Sequence, residues 1–114
     1  MSWITSHILD TAKGKPVQGV TIVLSKQVGE DWAEIARGIT NTEGKLSDFP
    51  NDVVKQPGTY KIKFETGAYF KKLAIPTFYP FIEIIFETTG EEHYHIPLLL
   101  NAFGYSTYRN SEIS

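Results

Sequence analysis

The chain has 114 residues, with 11 basic and 13 acidic side chains and a formal net charge of −2, a length that fits one domain with a single core. Because no basic run occurs, neither nucleic acid nor an anionic membrane surface is expected as a partner. Cysteine is absent, which excludes disulfides and a thiol nucleophile.

The ends and apolar runs of the chain bear on its location. No secretory leader is visible at the N-terminus, and no apolar run approaches the length of a membrane span. The C-terminal tripeptide Glu112-Ile113-Ser114 is not a peroxisomal address. We therefore expect a cytoplasmic protein, and the peroxisome and secretion of a trimmed chain stay open as alternatives.

Alternating apolar and polar residues predict three strands in the first half of the chain. These are Ile4 to Asp10, Gly19 to Val28 and Trp32 to Thr40. The second is the clearest, because β-branched residues alternate along it. Residues 41–45 then predict a tight turn, with Gly44 where a positive φ is commonly required.

The second half is predicted to add further strands and one helix. Residues 46–57 are expected to be irregular, because prolines interrupt any ladder there. Thr59 to Thr66 and Phe81 to Thr88 alternate as strands, and residues 67–76 predict a helix of about two turns that ends before a proline. About eight short strands and one short helix predict an all-β, two-sheet β-sandwich that forms a single domain over residues 1–114.

The last twenty or so residues carry the candidate chemistry. His93 and His95 stand at i and i+2 on a predicted strand, so both imidazoles project from one face. Burying two histidines together is expensive without a purpose. A polar strand follows the turn at Gly104. Its alternation puts Tyr105, Thr107, Arg109 and Ser111 on one face and Ser106, Tyr108 and Asn110 on the other.

Simpler interpretations of these residues stay open from the pattern alone. His7, on the first strand, is typical of a lone surface or half-buried histidine whose ring hydrogen-bonds to a neighbouring residue. Lys45 and Arg109 are typical of solvated surface residues. Three histidines are also the minimum protein set for a zinc ion with one water, although no zinc motif and no carboxylate at matching spacing accompanies them.

Several stretches of the chain resemble the transthyretin-like 5-hydroxyisourate hydrolases, sisters of the transthyretin hormone carriers. The resemblance covers nearly the whole chain. The matching stretches are Ser6–Asp10 with Gly14–Pro16, Val20–Leu24, Thr42–Lys45, Thr66–Lys72, Phe78–Pro80, His93–Leu100 and Gly104–Ser111. The resemblance implies an immunoglobulin-like sandwich that assembles as a homotetramer, a dimer of dimers with active sites in the channel between them.

The resemblance also implies which residues line the site. The family's first-strand His falls on His7, and the second His of its His-Tyr-His motif falls on His95. The family's turn Arg is Lys45 here, which keeps the charge but loses the planar fork. The C-terminal Tyr-Arg-Gly-Ser falls on residues 108–111, with Asn110 in place of Gly and three further residues after Ser111.

The implied activity is hydrolysis of 5-hydroxyisourate in urate degradation, which opens the ring by water attack to give 2-oxo-4-hydroxy-4-carboxy-5-ureidoimidazoline. His7 and His95 are expected to position and activate the water, and Lys45 to stabilise negative charge. No metal and no organic cofactor is expected. The residues expected to bind substrate are His7, Lys45, His93, Tyr108, Arg109 and Ser111, with His93 in a supporting position and Arg109 bracing the terminal strand.

Two other classes of function compete with hydrolysis. A non-catalytic transthyretin-like carrier, or a degenerate hydrolase, would fit Lys45 and the C-terminal extension. The retained His95, Tyr108 and Arg109 argue against it. An immunoglobulin-like structural module would be a monomer or part of a string of domains, and the length of one isolated domain disfavours it.

Overall fold

The computed structural model describes residues 3–47, 49, 56–89 and 93–109. Within these residues the chain forms strands and one short helix. The elements are β1 Ile4–Asp10, β2 Lys15–Pro16, β3 Thr21–Val28, β4 Asp31–Ile39, β5 Lys45–Leu46, β6 Gly58–Phe64, α1 Thr66–Lys72, β7 Ile82–Thr88, β8 Tyr94–Asn101 and β9 Gly104–Thr107.

The strands form two sheets that pack face to face. Sheet 1 has the order β2-β1-β8-β9, with β5 also paired to β1, and sheet 2 has the order β4-β3-β6-β7. Strands β1 and β8 are parallel, whereas the other pairs are antiparallel. The predicted two-sheet sandwich with one short helix is confirmed.

The core lies between the sheets and is built by alternation along each strand. Tyr60, Ile62 and Phe64 on β6 are fully buried, while the residues between them are only partly so, as their pattern predicts. Burying each such side chain stabilises the fold by roughly 1.5–3 kcal/mol. The Trp3 ring meets the rings of Tyr60 and Tyr94 edge-on at 5.3 and 5.9 Å and closes one end of the core.

The observed elements depart from the predicted ones mainly at their ends. Helix α1 begins at Thr66 and ends at Lys72, short of the predicted stop before Pro76, because Ala74 adopts a φ of 57° that no helix continues. Strand β5 was missed, because a two-residue strand has no period to read; it joins the last residue of the predicted turn to the first residue of the segment predicted to be irregular. The rest of that segment lies largely outside the described residues.

A hydrogen bond ties helix α1 to the end of β1. The Tyr69 hydroxyl donates to Asp10 Oδ2 at 2.7 Å. The other oxygen of this buried carboxylate accepts the backbone N–H groups of Ala12 and Lys13 at 3.0 and 3.1 Å. Burial, followed by the bond to Asp10, raises the pKa of Tyr69 to about 12 from its ordinary 10.0.

This raised pKa predicts how stability changes in alkali. The protonated phenol is favoured in the folded state, so its contribution is complete below about pH 10 and is lost between about pH 10 and 12. Tyr69→Phe should lower the free energy of unfolding by about 1–2 kcal/mol near neutral pH and weaken its dependence on pH in that alkaline window. Denaturant titrations across the window measure both effects. Burial also raises the pKa of Tyr60, so the stability of Tyr69→Phe should still depend somewhat on pH in this window. If the wild type and the variant show the same dependence of stability on pH, the assignment of the effect to Tyr69 is wrong.

Candidate active site

The parallel pairing of β1 with β8 brings the first histidine and the terminal histidines to one face of sheet 1. Thr5 lies opposite His95, and His7 lies opposite Pro97. Paired residues project from the same face, as do residues two apart on one strand. Thr5, His7 and His95 therefore share the outer face of sheet 1, which points away from sheet 2, because the residues that alternate with them on β1 are buried in the core.

His93 and His95 meet at the hydroxyl of Thr5. The Thr5 Oγ1 atom lies 2.8 Å from His95 Nδ1 and 3.1 Å from His93 Nε2. The two imidazoles thus occupy the same space, as their spacing predicts. Thr5 was missed from the sequence. Its one signal is that it stands two residues before His7, on the same face of the first strand.

Lys45 lies beside His7. In the antiparallel pair of β1 and β5, Lys45 is the direct partner of His7, so its side chain starts from the same outer face. The Lys45 Nζ atom is 3.9 Å from Glu43 Oε1, and about half of the lysine side chain is exposed. An exposed ion pair at this distance is weak, so the lysine charge remains effective on this face.

The turn before Lys45 holds it in this position. Asn41 Oδ1 accepts the backbone N–H groups of Glu43 and Lys45 at 2.9 and 3.0 Å, and the Gly44 carbonyl accepts the N–H of Ile8 at 2.8 Å. Gly44 has a φ of +74°, and a Cβ there would lie 2.6 Å from the Ile8 carbonyl oxygen. Glycine is therefore required both by the backbone conformation and by the contact with β1.

The C-terminal segment leaves the sheet after Thr107. The β8–β9 ladder ends at the Leu98–Thr107 pair, next to Pro97, which has no N–H to extend it. The Thr107 hydroxyl instead donates to the Pro97 carbonyl at 2.6 Å. Tyr108 is exposed after this point, and Asn110 and Ser111 lie outside the described residues.

Arg109 lies against the ring of Tyr94, on the side of sheet 1 that faces the core. Its guanidinium carbon is 5.2 Å from the centre of the Tyr94 ring, and Tyr94 is buried against Trp3. His95, the next residue on β8, projects from the opposite face. His95 and Arg109 nevertheless line one small cavity between the sheets, so the gathering of guanidinium and imidazoles at one substrate site stays a prediction. This cation–π contact favours the bracing role of Arg109 over direct contact with a substrate.

A small cavity between the sheets holds part of the predicted site. It has a volume of about 160 Å³ and a mostly apolar surface from side chains such as Ile84, Phe86 and Ile96. The predicted site residues His95, Tyr108 and Arg109 also line it, whereas His7 and Lys45 do not. Its volume is below that of typical ligand pockets.

The described residues hold no group of three or more His, Asp or Glu side chains that could bind a metal ion. None of the helical residues described forms a segment long and apolar enough to cross a membrane.

What the outer face offers is acid–base and electrostatic chemistry. Two imidazoles can move protons near neutral pH, and one ammonium group can hold negative charge.

Comparison with known proteins identifies the family. Residues 4–110 match the sequence profile of the HIUase/Transthyretin family. The chain belongs to this family. The resemblance drawn from the motifs is therefore confirmed. The 5-hydroxyisourate hydrolase of Salmonella typhimurium is 39% identical to the chain over 109 residues, which cover 95% of this chain and 80% of that protein.

Solved structures of two kinds share the fold. The 5-hydroxyisourate hydrolase of Klebsiella pneumoniae superposes with a TM-score of 0.83 and 33% identity, over 95% of this chain and 98% of that one. Sea bream transthyretin in complex with thyroxine superposes with a TM-score of 0.87 and 29% identity, over 98% of each chain. The fold is therefore common to both kinds of protein and does not distinguish them.

The glycine before Lys45 gives a test of how the site is built. Gly44→Ala should cost clearly more stability than the roughly 1–2 kcal/mol expected for a left-handed residue alone, because the new methyl group also meets backbone atoms. Gly29→Ala is the matched control, with a φ of +65° and no atom near the added Cβ. Equal losses in thermal or denaturant unfolding would contradict the close contact between the turn and β1.

Proposed function

We propose that this protein is a 5-hydroxyisourate hydrolase. Water attacks a cyclic amide carbon of the substrate, the carbon–nitrogen bond breaks, and the ring opens to 2-oxo-4-hydroxy-4-carboxy-5-ureidoimidazoline within urate degradation. The observation that carries the proposal is the meeting of His7, His95 and Lys45 on one face. The 39% identity to the Salmonella typhimurium hydrolase over nearly the whole chain supports it.

The residues divide the chemistry between them. His7 and His95 position a water molecule and accept its proton as the oxygen bonds to the amide carbon, and the same imidazoles return a proton to the departing nitrogen. Lys45 stabilises the negative charge that develops on the carbonyl oxygen. In this proposal Tyr108 and Ser111 bind ring carbonyls, His93 supports His95, and Arg109 braces the segment that carries Tyr108. No step requires a metal or an organic cofactor.

The structural likeness to a transthyretin solved with thyroxine keeps a non-catalytic carrier as the second candidate. Lys45 also favours it, since a site that held a planar anion through arginine would lose its bidentate contact. Catalytic turnover distinguishes the two directly.

We also propose that the protein assembles as a homotetramer, a dimer of dimers. The terminal strands β7 and β9 have edges with no partner strand among the described residues, and such edges invite pairing with another copy. Large apolar side chains are exposed near them, with Phe78 at 72% and Phe103 at 68%, as is typical of an interaction surface. Sedimentation equilibrium should give four times the chain mass. The cytoplasmic location stays a prediction.

The hydrolase proposal predicts turnover that depends on His95. Urate and urate oxidase generate 5-hydroxyisourate, whose absorbance decays slowly by itself, and the wild-type protein should accelerate this decay. His95→Asn should reduce the rate by about 10²- to 10⁴-fold, because the proton acceptor is lost, without changing the assembled mass. A spontaneous decay rate with wild-type protein would exclude the hydrolase, and wild-type turnover in the variant would remove His95 from the mechanism.

The charge on Lys45 predicts a second set of variants. Lys45→Met should lower kcat/KM by about 10²- to 10³-fold, since a stabiliser of the developing oxyanion is removed. Lys45→Arg keeps the charge and should retain activity, and Lys72→Met, on exposed helix surface, is the control with unchanged rate. If Lys45→Met turns over like wild type, the lysine has no part in stabilising charge.

A further inference from the structure

The Thr5 hydroxyl stands between two imidazoles in a place that water reaches poorly. Thr5 is only 8% exposed, and its backbone is held in the β1–β8 ladder opposite His95. Its Oγ1 atom is within hydrogen-bond distance of both His95 Nδ1 and His93 Nε2. A hydroxyl has a single hydrogen and two lone pairs, so it can donate to only one of these nitrogens at a time.

Two proton arrangements satisfy both contacts and also give the hydroxyl hydrogen one of the two imidazoles as its acceptor, whereas donation by both rings to Thr5 would leave that hydrogen with neither. In the first, His95 Nδ1–H donates to Thr5 and Thr5 donates to His93 Nε2, which leaves His95 Nε2 without a hydrogen. In the second, His93 Nε2–H donates to Thr5 and Thr5 donates to His95 Nδ1, so that the hydrogen of neutral His95 sits on Nε2. Only the first arrangement leaves His95 Nε2 able to accept a proton.

We propose that Thr5 is a positioning residue that sets the tautomer of His95 and couples it to the protonation state of His93. While His93 is neutral, the first arrangement is available and His95 can act as a base through Nε2. When His93 is protonated, both its ring nitrogens carry hydrogen, and the second arrangement is the one that satisfies the buried hydroxyl. The role in turnover rests on the proposed hydrolase function, whereas the control of the tautomer does not.

Other charged groups act on the same imidazoles. His7 on β1 and Lys45 on β5 start from the same outer face, with Glu43 beside the lysine. Tyr108 follows β9, and Arg109 lies against Tyr94 on the core side. None of these groups replaces the hydroxyl that both imidazoles share. The choice of tautomer therefore identifies Thr5 more specifically than a pH profile alone.

The test compares three variants of β1 by ¹⁵N NMR of the histidine rings in the full-length protein. Thr5→Val has nearly the shape of threonine without the hydroxyl, Thr5→Ser keeps the hydroxyl, and Ser6→Ala is the matched control. The Ser6 hydroxyl also bonds to β8, where it donates to the Ile96 carbonyl at 2.7 Å. This bond lies on the core side of sheet 1, away from the histidines. If Thr5→Val does not fold, Thr5→Ala removes the same hydroxyl with less crowding.

In wild type and Thr5→Ser, with both His93 and His95 in the neutral form, His95 should show hydrogen on Nδ1. In Thr5→Val its signals should move toward the Nε2–H form, with kcat falling by about 10- to 100-fold and KM little changed. Ser6→Ala should lose stability but keep the wild-type tautomer and kcat. An unchanged His95 ¹⁵N pattern in Thr5→Val would overturn the proposal. A shifted pattern in a protein without hydrolase activity would support the control by Thr5 and refute only the proposed function.

Discussion

The pairing on which this site depends is the parallel ladder between β1 and β8. It joins residues 4–10 to residues 94–100, and so it brings the two ends of the chain together. This one register puts Thr5 opposite His95 and leaves His7 on the same face. A slip by one residue would turn every β8 side chain to the other face, burying His95 in the core and exposing Tyr94. Such a slip is costly because it would also expose Leu98 and Leu100, which are fully buried. The packing of the core therefore fixes the register that forms the site.

The rest of the site is attached to this ladder. The turn at Gly44 docks onto β1 through the Ile8–Gly44 hydrogen bond and thereby brings Lys45 next to His7. Pro97 ends the pairing of β8 with β9 and releases the segment that carries Tyr108. The chemistry thus lies on a sheet face whose strand β1 is paired with both β5 and β8. This arrangement suits proton transfer, which requires groups held at fixed distances.

The strands and the buried faces could be predicted because alternation is local. The faces of β6 and the face shared by His93 and His95 follow from spacing alone. Partner and direction of pairing are not local, so nothing in the spacing places Thr5 beside His95 or Lys45 beside His7. The residues that matched a family motif supplied His7 and Lys45, and that route could not reveal Thr5. The contact of Arg109 with the Tyr94 ring joins the segment after β9 to β8, and the alternation within either strand does not reveal such a contact.

The central claim is that His7 and His95, from opposite ends of the chain, act on one water molecule. A double-mutant cycle in the 5-hydroxyisourate decay assay tests it most directly, with His7→Asn and His95→Asn measured singly and together. Residues that act as a unit show strongly non-additive losses. The account predicts that the double variant is about as slow as the slower single variant. Losses that multiply would show that the two histidines act independently, and would contradict the account.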